Sequence, residues 1–328
     1  VISPAGVQEI IDYGLYGYAL SRFAGLWVGL KTMKDTIEVT SVVDGNPHRL
    51  SFSTPEFSMP DEGLNIRLVD DRIEQEARLI DYKRFAAQAF ALENKIDKRV
   101  WGKAGAKIGF VAAGKNWLDL THALSLLNIN NQEAKRLGIT TYKVGQTWPL
   151  ETKGFSEWAE GLNLIVVVEE KRKLIELQIK EAIFDNRQGC RVYGGTCQGG
   201  EFFSAKWMLD PVEIALKIGR VLIDEGRSTD GIKAGMASLN AALQLDNAEE
   251  IVERLPYFCS GCPHNSSTKV PDGSRAYAGI GCHFMAQWMD RETLGYTQMG
   301  GEGANWIGEA PFSNRTHVFQ NIGDGTYN

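Results

Sequence analysis

At 328 residues the chain exceeds one ordinary hydrophobic core and calls for more than one domain. Its 43% apolar and 23% charged composition is that of a soluble globular protein, and a net charge of −6 argues against the basic face of a nucleic-acid binder. No run approaches the ~18 apolar residues of a membrane helix, and no charged leader with an apolar core opens the chain, so the expected setting is the cytoplasm with no membrane partner.

Val7 to Leu20 carries apolar positions at helical spacing shortly after Pro4. Trp27–Lys31 and Thr36–Val43 alternate and are β-branched, which predicts two short strands. A loop-like tract rich in turn formers follows from Asp44 to Gly63. Asp71 to Lys98 reads as a long charged helix with Phe85, Ala86, Ala89 and Phe90 on one face, its charges forming a solvated surface.

A strand–helix alternation begins at Lys107. Lys107–Gly114 is a buried strand ending in glycine, followed by helices over Trp117–Leu127 and Gln132–Leu137. Ile139–Val144 is a second strand, Phe155–Leu162 a helix, and Leu164–Val168 a continuous apolar strand of the kind buried in a parallel sheet. No G-x-G-x-x-G or P-loop accompanies Gly114, so a tight turn explains it best. Glu169 and Glu170 lie where α/β folds place ligands, but Lys171 and Arg172 beside them favour a salt-linked surface or a domain interface. A further helix runs to Ile183. Asp210 before Pro211 marks the N-cap of another over Pro211–Glu225, Gly226–Gly231 resembles a linker, and the pattern is helical from there to Glu253. Strands alternating with helices imply a doubly wound parallel sheet.

Five cysteines, an odd number, make no disulfide framework in a chain of this size. Cys190 and Cys197 lack the spacing of a ligand pair and read as structural or incidental. Cys259, Cys262 and Cys282 form a C-x2-C…C pattern, and three soft thiolates select an iron–sulfur cluster, zinc or copper over hard cations. Zinc needs a fourth ligand, which His264 or His283 could supply, although its usual second close pair is missing. A lone third cysteine suits a cubane whose fourth ligand comes from a longer chain. Gly261 and Gly281 leave room for backbone N–H groups beside cluster sulfurs, and His283 is a candidate pocket residue. Downstream, an apolar run ends in Gly323-Asp-Gly325, where Asp324 could serve a hard cation and a phosphate, or simply occupy a turn. Four glycines around Glu302 describe either a cofactor wall or a loop. The chain lacks an initiator Met and stops within a turn motif, which leads us to expect an internal slice of a larger polypeptide.

Several of these stretches resemble the 2-oxoacid:ferredoxin oxidoreductases, most closely the indolepyruvate type with fused subunits. They are Tyr257-Phe-Cys-Ser-Gly-Cys-Pro-His-Asn-Ser-Ser267, Pro271-Asp-Gly-Ser-Arg275, Gly279-Ile-Gly-Cys-His283, Met299-Gly-Gly-Glu-Gly303 and Phe319-Gln-Asn-Ile-Gly-Asp-Gly-Thr-Tyr327. Trp148-Pro-Leu-Glu151, Val167-Val-Glu-Glu-Lys-Arg172 and Gly63-Leu-Asn-Ile-Arg67 extend the resemblance over nearly the whole chain.

The resemblance implies oxidative decarboxylation of a 2-oxoacid with coenzyme A to an acyl-CoA, CO2 and reduced ferredoxin. Thiamine diphosphate would do the carbon chemistry and a [4Fe-4S] cluster would remove the electrons. It assigns Cys259, Cys262 and Cys282 as three of four cluster ligands and Asp324 as a Mg2+ ligand, with Gly323, Gly325, Gly281 and His283 around the cofactor. It also implies an α/β fold of thiamine diphosphate-binding units with a transketolase C-terminal-like doubly wound domain between them. Residues 1–100 would close a pyrimidine-binding domain, 101–228 would be the middle domain, and 229–328 would begin the diphosphate-binding domain. The fourth Cys and the Asn of the thiamine motif would fall after Asn328, and the glutamate that activates the aminopyrimidine before Val1, so this piece alone is expected to be inactive. The substrate would be indolepyruvate or another aryl or branched pyruvate, and the full-length enzyme a homodimer. Two other readings stand beside this one: a zinc-binding structural module, and a non-redox thiamine-dependent decarboxylase.

Overall fold

The computed structural model describes residues 1–46, 48–186, 188–246 and 254–327. The chain divides into two compact units, Val1–Asp246 and Asn247–Asn328.

The first unit is built on a five-stranded sheet. Its strands are β1 (Lys98–Arg99), β2 (Ile108–Ala113), β3 (Ile139–Val144), β4 (Leu164–Val168) and β5 (Arg191–Tyr193). The spatial order is β1-β3-β2-β4-β5, with β1 antiparallel to β3 and every other pair parallel. Every residue of β3 and β4 is buried, and β4 (Leu164-Ile-Val-Val-Val168) carries the continuous apolar signature of a strand covered on both faces.

Side-chain alternation sorts the sheet into two cores. On one face Ile108, Phe110, Leu164 and Val166 pack under α3 (Gly114–Leu126), α7 (Pro211–Asp224) and α8 (Asp230–Asp246), against Leu120, Leu124, Ile218 and Ile232. On the other, Val111, Tyr142, Ile165 and Val167 meet α5 (Thr152–Ala159) and α6 (Leu174–Ile183) through Phe155, Trp158, Ile175 and Ile179. The short α4 (Asn131–Leu137) leads into β3. Helices on both faces of a parallel sheet make the doubly wound α/β architecture that the strand–helix alternation predicts. Asp210 caps α7 by accepting from the Val212 N–H at 2.7 Å, with Pro211 in its first turn, as expected.

A third core lies between α1 (Val7–Ala24) and α2 (Arg84–Glu93), where Tyr16 and Phe90 pack with ring centroids 5.3 Å apart. The helix predicted over Asp71–Lys98 starts at Arg72, loosens into a π-helical turn over Leu79–Lys83 and ends with α2 at Glu93. The strands predicted over Trp27–Lys31 and Thr36–Val43 do not form. Leu30 makes a single bridge to Ile2, Lys34–Ile37 is a helical turn, and Val42 is 99% exposed. Alternation there lacks a neighbouring strand to pair with, and an unpaired strand has nothing to satisfy its backbone.

The second unit centres on a three-stranded parallel sheet of β6 (Ala276–Ala278), β7 (Thr293–Tyr296) and β8 (Phe319–Gln320), with β6 in the middle. Its described helical stretches include a 3-10 helix over Cys282–Trp288 and α9 (Ala304–Glu309), continued by a 3-10 turn to Phe312. The helix expected up to Glu253 is present to Asp246, and its last residues lie outside the described ones.

Candidate cofactor and cluster site

The C-x2-C segment folds as a turn. The Cys262 N–H donates to the Cys259 carbonyl at 3.0 Å, and Asn265 Nδ2 donates to the same oxygen at 3.0 Å. Gly261 sits at φ +75°, where a side chain would be strained. Cys262 Sγ lies 3.1 Å from His264 Nδ1. The imidazole of His264 stacks on Phe258, centroid to centroid 5.3 Å, and on its other neighbour His283 at 5.8 Å. That stack brings the first cysteine pair and the Cys282-His283 turn into one neighbourhood. Cys259 and Cys282 are exposed and Cys262 is half-buried. Among the described residues, no group of three His, Cys, Asp or Glu side chains converges as metal ligands would.

Beside this stack, two loops meet at the C-terminal ends of parallel strands β6 and β8, the edge where open α/β sheets place ligands. Their approach depends on missing side chains. A Cβ on Gly279 would stand 2.4 Å from the Asn321 carbonyl oxygen and 2.8 Å from His283 Nε2. Gly281, at φ +143°, holds its backbone against the same imidazole, and a Cβ on Gly323 would meet the Ile280 carbonyl at 2.9 Å. Asp324 opens a short helical turn to Tyr327; its side chain lies outside the described residues, as does Asn328.

His283 is 4% exposed and its Nε2 has no hydrogen-bond partner. Burial, then the neighbouring His264, pull its pKa below the ordinary imidazole value, against an opposing pull from Glu302. Asn321 Nδ2, Gln320 Oε1, Thr326 Oγ1, Thr297 Oγ1, Glu302 Oε1 and Asn305 Oδ1 are likewise buried without partners. Buried polar atoms are nearly always paired, so a group of orphans in one small unit asks for a polar molecule as its partner. An amide, a hydroxyl and a neutral imidazole next to a glycine-flanked turn suit a ligand rich in oxygen, and a diphosphate is such a ligand. The Glu302 loop is held by its own carboxylate, which accepts from the Gly300 N–H at 2.7 Å, with Gly300 and Gly303 at positive φ.

Sequence reasoning reached Cys259, Cys262, Cys282, His283, Gly281 and the Gly323–Gly325 turn, but it passed over Asn321, Thr326 and Gln320. Their signal was adjacency: each lies within four residues of Asp324, on a strand end or in the turn after it.

In the first unit Glu169 and Glu170 are engaged differently from the expected link to Lys171 and Arg172. Glu169 caps α6, accepting from the Ile175 N–H at 2.9 Å and the Glu176 N–H at 3.2 Å. Glu170 accepts from the Leu209 N–H at 2.6 Å and pairs with Lys115 at 3.5 Å. Proximity in sequence misled here, because a helix N-terminus and a residue 55 positions away compete better for the two carboxylates. Cys190 and Cys197 are half-buried, and burial raises the Cys190 thiol above its ordinary pKa, consistent with a structural thiol.

Residues 98–246, the α/β core, match a family model described as the indolepyruvate oxidoreductase domain. Two curated relatives carry the name indolepyruvate oxidoreductase subunit IorA. The protein of Pyrococcus abyssi is 24% identical over 314 residues, covering 92% of this chain and 45% of its own length. That of Archaeoglobus fulgidus is 23% identical over 270 residues, 81% of this chain and 39% of its own. The chain is similar to these proteins over most of its own length and spans less than half of theirs. Among solved structures, a 2-oxoglutarate:ferredoxin oxidoreductase from Magnetococcus marinus aligns over 60% of this chain and 32% of its own, at 15% identity and a TM-score of 0.31, too low to carry a conclusion.

Proposed function

We propose that this chain is part of an enzyme that oxidatively decarboxylates a 2-oxoacid, indolepyruvate or another aryl or branched pyruvate, with coenzyme A, giving acyl-CoA, CO2 and reduced ferredoxin. The observation that supports it most is the group of buried, unpartnered polar atoms on His283, Gln320, Asn321 and Thr326 around a glycine-lined strand end. Thiamine diphosphate with Mg2+ and a [4Fe-4S] cluster would supply, when bound, carbanion stabilisation and a one-electron outlet.

The chain's own residues do the holding. Gly279, Gly281 and Gly323 let backbone close in, so that a diphosphate can be met by main-chain N–H groups as well as by Asn321 and Thr326. Asp324 is the proposed Mg2+ ligand. His283, whose pKa burial pulls below the ordinary imidazole value, offers Nε2 as a hydrogen-bonding group. Cys259, Cys262 and Cys282 are the proposed cluster ligands, and the His264–His283 stack ties the cysteine loops to the diphosphate side. On this reading residues 1–100, 101–228 and 229–328 correspond to the end of a pyrimidine-binding domain, a transketolase C-terminal-like domain and the start of the diphosphate-binding domain. The full-length enzyme is proposed to be a cytoplasmic homodimer.

The test is made on the full-length polypeptide, produced anaerobically. Iron and sulfide in stoichiometric amounts, with viologen reduction that needs both a 2-oxoacid and coenzyme A, is the expected result. Stoichiometric zinc with no colour would overturn it in favour of a structural zinc site, the reading that the close Cys262–His264 contact favours. Decarboxylation without any electron acceptor would point to the non-redox alternative.

A further inference from the structure

A second cleft lies in the first unit, independent of the cofactor reading. The chain leaves β2, forms β3 on one side, then crosses to form β4 on the other, so the segments after β2 and β4 diverge. At this switch point, between Ala113–Asn116 and Val168–Leu177, the surface opens into a cavity of about 650 Å3. Open α/β sheets take ligands in such crevices, and the volume is that of a small-molecule site.

The charges around it are unevenly committed. Glu169 is spent on the start of α6, and Glu170 on the Leu209 N–H and Lys115, whose ammonium also bonds Asp119 at 2.7 Å. Lys173 reaches Thr196 Oγ1 at 3.4 Å. Lys31, Lys171 and Arg172 line the cavity and form no ion pair among the described residues. Lys171 holds φ +63°, a left-handed backbone that a lysine adopts only at a cost. The two helices that start at the cavity also differ: α6 is closed by Glu169, whereas α3 has no side-chain cap and no acidic residue in its first turn. Leu174 and Leu177, both exposed, add an apolar wall.

We propose that this cleft binds a small metabolite carrying a phosphate monoester on an apolar body, the phosphate between Lys31, Lys171, Arg172 and the start of α3, the body against Leu174 and Leu177. Glu169 and Glu170 also line the cleft, but their charge is partly offset, Glu169 by the N–H groups at the start of α6 and Glu170 by the Leu209 N–H and the Lys115 ammonium. Lys31, Lys171 and Arg172, none in an ion pair among the described residues, favour a dianion over a neutral ligand.

Phenyl phosphate is the probe, with phenol and inorganic phosphate as its two halves, titrated calorimetrically into the full chain. Saturable one-site binding of phenyl phosphate, tighter than either half, is expected. Lys171→Gly combined with Arg172→Ala should weaken it about tenfold or more, and glycine suits the left-handed backbone at position 171, so the fold is kept. Lys31→Met, on a different segment, should weaken it too and decides the matter if the double variant fails to fold. Lys206→Ala, outside the cavity, serves as the control and should bind as the wild type does. Absence of saturable binding, or affinity unchanged in both cleft variants, would overturn the proposal; phosphate alone binding as tightly would remove its apolar part.

Discussion

The two units satisfy their polar groups in different ways. In Val1–Asp246 the sheet buries apolar side chains on both faces, and its buried polar groups are mostly answered within the unit: Gln146 Nε2 donates to the Pro149 carbonyl at 2.9 Å, Trp158 Nε1 to Thr140 Oγ1 at 3.2 Å. In the second unit the buried apolar residues among those described are Phe258, Ala276, Tyr277, Ala278 and Ala286, and they share the space with orphaned polar atoms on His283, Thr297, Asn305, Asn321 and Thr326. A fold stabilised by its own core needs no further partner. A unit with a thin core and unmet hydrogen bonds gains stability from whatever meets them, since a bound ligand stabilises the state that binds it.

That contrast can be broken at several points. On the proposed function the largest effect belongs to the cysteines: in the full-length polypeptide Cys282→Ser should remove the proposed cluster and bring 2-oxoacid-dependent viologen reduction down to background, with iron content as the direct readout. The melting of the α/β core should be unmoved. A Cys282→Ser enzyme with full iron and full turnover would sink the ligand assignment.

Phe155→Ala strikes the self-sufficient side. Its ring is fully buried between Tyr142 and Trp158, at centroid distances of 5.4 Å from each, and deleting it should cost about 3–5 kcal/mol in denaturant unfolding.

Asp97 joins the helical part to the sheet, accepting from the Gly145 N–H at 2.6 Å and the Gln146 N–H at 2.9 Å, with its other oxygen unpartnered. Burial outweighs these two donors and pushes its pKa up to about 7 from the ordinary 3.8. The folded state therefore holds the proton more tightly than the unfolded one. The stability linked to it is fully present below pH 3.8 and is lost as pH rises through about 7. Asp97→Asn keeps an acceptor for both N–H groups and should flatten this fall, which is at most about 4 kcal/mol. An unchanged pH profile of unfolding would show that another group governs it.

The smallest effect is expected at Gly279→Ala. The added methyl would press on the Asn321 carbonyl, so the loops at the strand ends must separate, costing about 1–3 kcal/mol. The loss should appear in thiamine diphosphate affinity and in the second unit's hydrogen exchange, and it should leave the first unit's exchange untouched.

Much of this molecule is legible in its sequence. β3 falls on the strand expected over Ile139–Val144 and β4 on its apolar run, α7 begins at the Asp210–Pro211 signal, and the cysteine spacing singles out the segments that the imidazole stack joins. These features depend on periodicity, turn chemistry and capping, which are local and therefore written in short stretches of sequence. What failed or was passed over depends on partners distant in the chain. Val39 and Val42 alternate like a strand but find no neighbour, and Glu170 ignores the adjacent Lys171 for Lys115 and the Leu209 N–H. Only packing could bring Lys31 to the cavity between β2 and β4, or leave His283 Nε2 and Asn321 Nδ2 buried without partners. Sequence by itself determined the doubly wound core and the site's vocabulary of cysteines, glycines and a carboxylate. The tertiary structure decided which of those groups meet and which polar atoms remain unsatisfied, because desolvation and charge pairing are set by what folds against each residue.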